Sequence, residues 1–262
     1  MIIVAIVHNY ESDRLLYLKP KLEQVIENLS TPAFITESAV SILSNPTTLD
    51  LFIRHSKLLK VRVRTFLSIQ RNFKKNPPGE TVRACWRILR TSMISKAQAI
   101  AEIEVIGKHL AAWKQFICSD ADHLVVLESD ALIGNSEKLQ MFLGSLNHFE
   151  SDDYISLTWP FSNEQLGLNA ITSPENRTYF TIDLQVTNTV AGYALSKSLA
   201  TKLLFRAEKG RLERKIAIDW FMNQIFAELR KRENWHARTI VPNQELVING
   251  SLVGEYVSGI QK

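Results

Sequence analysis

Six apolar residues in a row, Ile2–Val7, give way at His8 to the polar turn Asn9-Tyr-Glu-Ser-Asp13. A run rich in β-branched side chains, with no polar alternation, predicts a strand buried on both faces. Residues 15–29 return to helical spacing, and Ala33-Phe-Ile-Thr36 predicts a second strand. Residues 49–70 read as a basic helix, and Asn76-Pro-Pro-Gly79 as a loop. Residues 97–118 hold a long helical pattern broken only by Gly107. Short apolar strands follow at 123–127, 154–159, 177–186, 190–195 and 238–241, with helices at 197–208 and 212–232 between them. Strands alternating with helices predict an α/β fold with a mostly parallel central sheet and flanking helices.

Length and composition narrow this further. At 262 residues the chain suits one large domain, and 45% hydrophobic with 22% charged residues is ordinary globular composition. No stretch reaches the ~20 apolar residues of a membrane span. The apolar start is too short for a secretory signal and has no basic flank, so a cytoplasmic location is expected. The two cysteines, Cys85 and Cys118, show no zinc spacing and read as buried free thiols.

Charge is small in total but uneven. Residues 51–100 carry twelve Lys or Arg against one acid, a local +11 that leaves −7 on the remainder of a chain whose net charge is +4. Such a block attracts anions: a diphosphate, an anionic membrane or nucleic acid. Few aromatics interleave with it (Phe66, Phe73 and Trp86), a poor platform for stacking bases, which argues against nucleic acid.

Three groupings carry candidate chemistry. The strand His123-Leu-Val-Val-Leu127 runs into Glu128-Ser129-Asp130. Carboxylates beyond the carboxyl end of a buried strand lie where α/β sheets bind ligands, and two hard oxygen donors suit Mg²⁺ or Mn²⁺ bound together with a diphosphate. Glu102, Ile106, His109 and Trp113 share one helical face, which partly buries a Glu and a His. Trp113 reads as core, and His109 equally as a satisfied core histidine or a ligand contact. Asp219 stands in an apolar stretch, Ala217-Ile-Asp-Trp-Phe221, as a helix cap or as a carboxylate in a site.

Taken together these segments resemble the family 25 glycosyltransferases, the lipopolysaccharide galactosyltransferase type. The family pattern Gly-Glu-Ile-Gly-Cys-x-x-Ser-His, with a Trp four residues on, is matched at Glu102, Ile103, His109 and Trp113. Its strand ending Leu-Glu-Asp-Asp is matched by Leu127-Glu-Ser-Asp130. Its Gly-Thr-x-x-Tyr-x-x-Ser element is echoed by Thr189-Val-Ala-Gly-Tyr193-Ala-Leu-Ser196, and its Pro-x-Asp by Ala217-Ile-Asp219. The opening strand with a downstream Arg is echoed faintly, by Arg14. The chain departs from the pattern at Ala101, Lys108 and Ser129, and the basic block has no counterpart in it.

The resemblance implies a single GT-A-like (Rossmann-like) domain over residues 1–262, with a basic helical insertion at about 49–96. It implies transfer of a hexose such as galactose from a nucleotide sugar, UDP-linked, to a hydroxyl of a glycan or glycolipid, with inversion. Asp130 and Glu128 would hold Mn²⁺ or Mg²⁺, Asp219 would act as the base, and Glu102, His109 and Arg14 would contact the donor. The block at 51–96 could rest on an anionic membrane that carries the acceptor. Two other readings stand beside this one: a nucleotidyl- or phosphotransferase using the same acids, although no P-loop or Gly-rich phosphate fingerprint occurs, and an anionic-ligand binding module without catalysis.

Overall fold

The computed structural model describes residues 1–40, 96–158, 169–172, 178–182, 187, 190–209, 212, 217–233, 238–243, 245–251 and 253–255. The expected basic helix and the Asn76-Pro-Pro-Gly79 loop lie outside them.

The strands are β1 (Ile2–Val7), β2 (Ala33–Ser38), β3 (His123–Glu128), β4 (Ala131–Ile133), β5 (Tyr154–Ser156), β6 (Asn169–Thr172), β7 (Thr178–Ile182), β8 (Gly192–Ser196), β9 (Thr239–Pro242) and β10 (Val247–Asn249). The helices are α1 (Ser12–Glu27), α2 (Lys96–Ile117), α3 (Ser136–Leu143), α4 (Lys197–Lys209) and α5 (Ile218–Glu233). Eight strands form one sheet in the order β2-β1-β3-β8-β5-β9-β7-β6, while β4 and β10 pair separately. The ladders β2–β1, β1–β3 and β5–β9 are parallel and the other four are antiparallel. Six strands therefore point one way, with β8 and β7 reversed. The expected α/β class with a mostly parallel sheet holds, and the sheet is mixed because β8 enters antiparallel between β3 and β5.

Alternation along each strand divides the core into two layers. Ile3, Ala5 and Val7 of β1, with Leu124 and Val126 of β3, pack against Trp113 and Phe116 of α2, Leu199 and Leu203 of α4, and Phe221 and Ile225 of α5. Ile2, Val4 and Ile6, with Val125 and Leu127, pack against Leu18 and Leu22 of α1 and Leu139 and Phe142 of α3. Two-sided burial is why β1 reads as an unbroken apolar run. The backbone of Gly192 lies so close to β3 that an added Cβ would stand 2.7 Å from Leu127 Cδ2, so a bare backbone suits this crossing.

Several elements differ from the sequence reading. Helix α1 begins at Ser12, one turn early, and accommodates Pro20. Strand β5 ends at Ser156. The short elements β4, β6, β10 and α3 have no clear period in so few residues. Cys118 is exposed, which corrects its reading as a buried thiol: it follows the last residue of α2 and turns away from the core.

Candidate functional site

Strand parity decides where the acids point. Glu128 falls in step with Leu124 and Val126, so it faces the α2–α5 layer, and Ser129 faces the α1 layer. The loop is fixed by backbone bonds: Glu128 N–H to Ala191 C=O at 3.0 Å, Ser129 N–H to Val7 C=O at 2.8 Å, and Gly250 N–H to Asp130 C=O at 2.8 Å. Immediately after Asp130, β4 pairs antiparallel with β10. Ser129 and Asp130 therefore form the turn that carries the chain from one sheet into the other.

On the α2 side Glu128 meets a chain of buried polar groups. Trp113 Nε1 is 2.8 Å from Tyr193 Oη, which is 2.8 Å from His109 Nδ1, and His109 Nε2 is 3.3 Å from Glu128 Oε1. Indole N–H can only donate, so Tyr193 accepts it. The arrangement that pairs every hydrogen has Tyr193 donating to His109 Nδ1, which leaves the ring hydrogen on Nε2 and aims it at Glu128. Burial lowers the His109 pKa to about 3, so the ring is neutral and the contact is a hydrogen bond with no ionic component at neutral pH. His109 is thus both a satisfied core histidine and a contact of the site.

Tyr193→Phe would leave Trp113 Nε1–H and His109 Nδ1 without their partner. It is expected to cost about 1–3 kcal/mol, read as a lower urea midpoint with an unchanged slope.

Four of the predicted acids converge. Burial raises the Glu128 pKa well above its ordinary value of 4.5, and the charges of Asp130, Asp219 and Glu102 raise it further. Glu102 and Asp219 are 5% and 9% exposed, while the Glu128 side chain, 22% exposed, keeps a route to solvent. Asp219 lies in the first turn of α5, where acid suits the helix dipole, and its Oδ1 accepts the Trp220 N–H at 2.7 Å. Asp130 Oδ2 accepts from the Ser251 hydroxyl at 2.5 Å, whereas Oδ1 is buried and has no partner among the described residues. Arg14 stands apart, in the first turn of α1, with its Nη1 3.8 Å from Glu11 Oε1.

Like charges crowded at low dielectric need a proton or a cation. The folded pKa of Glu128 exceeds the unfolded one, so its proton stabilises the fold. That contribution is complete below about pH 4.5 and is lost as pH rises through the raised folded value. The melting temperature of metal-free protein is therefore expected to fall over that window, and Glu128→Gln should flatten the fall in a pH series of thermal melts.

The donor set fits a hard divalent cation: carboxylate oxygens only, one of them buried and unpartnered. Among the described residues no group of three or more His, Cys, Asp or Glu is placed to hold a metal ion. Two carboxylates with the remaining positions left to water and phosphate oxygens is the usual manner of Mg²⁺.

Tyr193, Lys108, Glu11 and Ser251 complete the surroundings. Of these only Tyr193 and Lys108 lie in segments with a sequence signal, and Ser251 reaches Asp130 across 121 positions.

No protein-family model matches the chain, and no curated protein matches it. Solved structures do, among them mannose-1-phosphate geranyltransferase from Thermus thermophilus, at 11% identity and a TM-score of 0.29 over 52% of this chain. The match spans about half of that protein, 49% of its length. A similarity this low assigns neither fold family nor activity. Among the described residues no helix is long and apolar enough to cross a membrane.

Proposed function

We propose that the chain is a metal-dependent glycosyltransferase of GT-A type, moving a hexose from a nucleotide sugar, UDP-linked, to a hydroxyl of a glycan or glycolipid with inversion. The observation that carries this reading is the convergence of Glu102, Glu128, Asp130 and Asp219 beyond the carboxyl end of β3, where a buried Asp130 oxygen lacks a partner among the described residues. The matched segments at 101–113 and 126–130 supply Glu102, Glu128 and Asp130, and the echo at 217–219 supplies Asp219.

Asp130 and Glu128 would hold Mn²⁺ or Mg²⁺, which when bound neutralises charge on a leaving diphosphate. Asp219 takes the proton of the acceptor hydroxyl as its oxygen attacks the anomeric carbon from the face opposite the leaving group. The bond to the donor phosphate breaks and the nucleoside diphosphate departs with that electron pair. His109, fixed by Tyr193, holds Glu128 in place, and Glu102 adds negative charge that favours cation binding.

The test is a panel of UDP-sugars, nucleoside triphosphates and an oligonucleotide, each with and without Mn²⁺, followed by melting temperature and product release. Stabilisation by a UDP-sugar, dependent on metal and accompanied by sugar transfer or slow donor hydrolysis, supports the reading. Turnover of triphosphates alone would favour a nucleotidyl- or phosphotransferase, and binding of the oligonucleotide without turnover a binding module. A ligand at a hundred times its Kd stabilises by about 2.7 kcal/mol, well within reach of the measurement. Membrane docking through residues 51–96 is a separate proposal, tested by sedimentation with anionic and neutral vesicles.

A further inference from the structure

On the α1 side of the same loop the chain binds an anion of its own. Glu11 Oε2 accepts the Asn9 N–H at 2.6 Å, and Oε1 lies 3.8 Å from Arg14 Nη1. The Ser129 hydroxyl and the N–H of Glu11 also lie on this carboxylate's side and favour its charge. Lys108, 5% exposed, is anchored by His8 C=O at 3.0 Å and by Asn9 Oδ1, and its charge is favoured by Glu104 first and by Glu11 second. Tyr10, with φ at +63°, shapes the turn between these groups. Burial opposes the charge on Glu11, yet the hydrogen bonds and Arg14 prevail and its pKa lies below the ordinary 4.5.

Arg14, Lys108, the Ser129 hydroxyl and the backbone N–H groups of Asn9 and Glu11 gather around one carboxylate, and groups of these kinds are what a tetrahedral oxyanion takes. Ser129, which lines this receptor, is flanked in sequence by Glu128 and Asp130, and Asp130 carries the buried oxygen without a partner. An anion here would lie one residue along the chain from the carboxylates that would hold a cation.

We propose that the His8–Arg14 turn, with Ser129 and Lys108, is a phosphoryl-group site for which Glu11 serves as an internal stand-in that the ligand must displace. The substrate class follows from the proposed function, on which this inference rests: the phosphoryl group is that of a nucleoside diphosphate. Two of the three positions where the chain departs from the family pattern, Lys108 and Ser129, are then working parts of one anion receptor.

Displacing an internal occupant lowers apparent affinity by the fraction of molecules in which the site is open. Calorimetric titration with inorganic pyrophosphate, in chelator so that no metal contributes, reads the site alone. Glu11→Gln should tighten pyrophosphate binding by about tenfold or more. Glu11→Ser, which supplies a preferred N-cap to α1 and so guards against a folding defect, should act in the same direction. Arg14→Gln should weaken binding and cancel the gain when combined with Glu11→Gln. A titration with UDP plus Mn²⁺ should show the same order of variants if the natural source is a nucleotide. Unchanged or weaker pyrophosphate binding in both Glu11 variants would overturn the proposal even if UDP-sugar turnover is found. Tighter pyrophosphate binding with no UDP-sugar turnover would leave this site standing and sink the transferase reading.

Discussion

Asp130→Asn should lose metal binding while folding at least as well as the parent. Asparagine keeps an oxygen to accept from Ser251, so the loop after β3 retains its anchor. The substitution removes one of the charges that raise the Glu128 pKa, which relieves repulsion in the metal-free protein. Its melting temperature without metal should therefore stay level or rise. Mn²⁺ affinity in the presence of UDP should fall by more than the roughly 10–100-fold that loss of an outer-shell partner costs, because a metal-bound oxygen itself is altered. Opposite movement of the two readouts separates a ligand from a structural acid. A structural acid would lose stability when replaced and leave metal affinity alone.

Asp219→Asn carries the second large effect. The amide can still accept the Trp220 N–H, so the start of α5 is preserved. If Asp219 removes the acceptor's proton, kcat should drop by about 10²–10⁴-fold, the usual worth of a positioned base, with donor KM within a few-fold of the parent. Steady-state kinetics with the donor and acceptor found in the panel measures both. A loss confined to KM would recast Asp219 as a binding group, and unchanged kinetics would remove it from the site.

Much of this site was legible because local periodicity places side chains directly. The four- and three-residue spacings of Glu102, Ile106, His109 and Trp113 put them on one face of α2, and the run His123–Leu127 announced a buried strand with acids at its end. Parity along that strand also explains why Glu128 and Ser129 serve opposite faces. What stayed hidden is what tertiary pairing creates. Ser251 meets Asp130 only because β10 folds back on β4. The neutral state of His109 depends on full burial, and its tautomer on a tyrosine from β8, 84 residues away. Glu11 read as one polar residue of a turn, since nothing local shows that Arg14, Ser129 and Lys108 surround it. The reversed direction of β8 was equally out of reach, because a short buried strand carries no mark of its partner's orientation.

The most direct measurement is a crystal structure of the protein soaked with Mn²⁺ and UDP, with the metal located by its anomalous scattering. The account predicts a manganese peak within bonding distance of Asp130 Oδ1, with diphosphate oxygens completing its shell. An anomalous map with no peak beside Asp130, while UDP is clearly bound elsewhere on the protein, would contradict it.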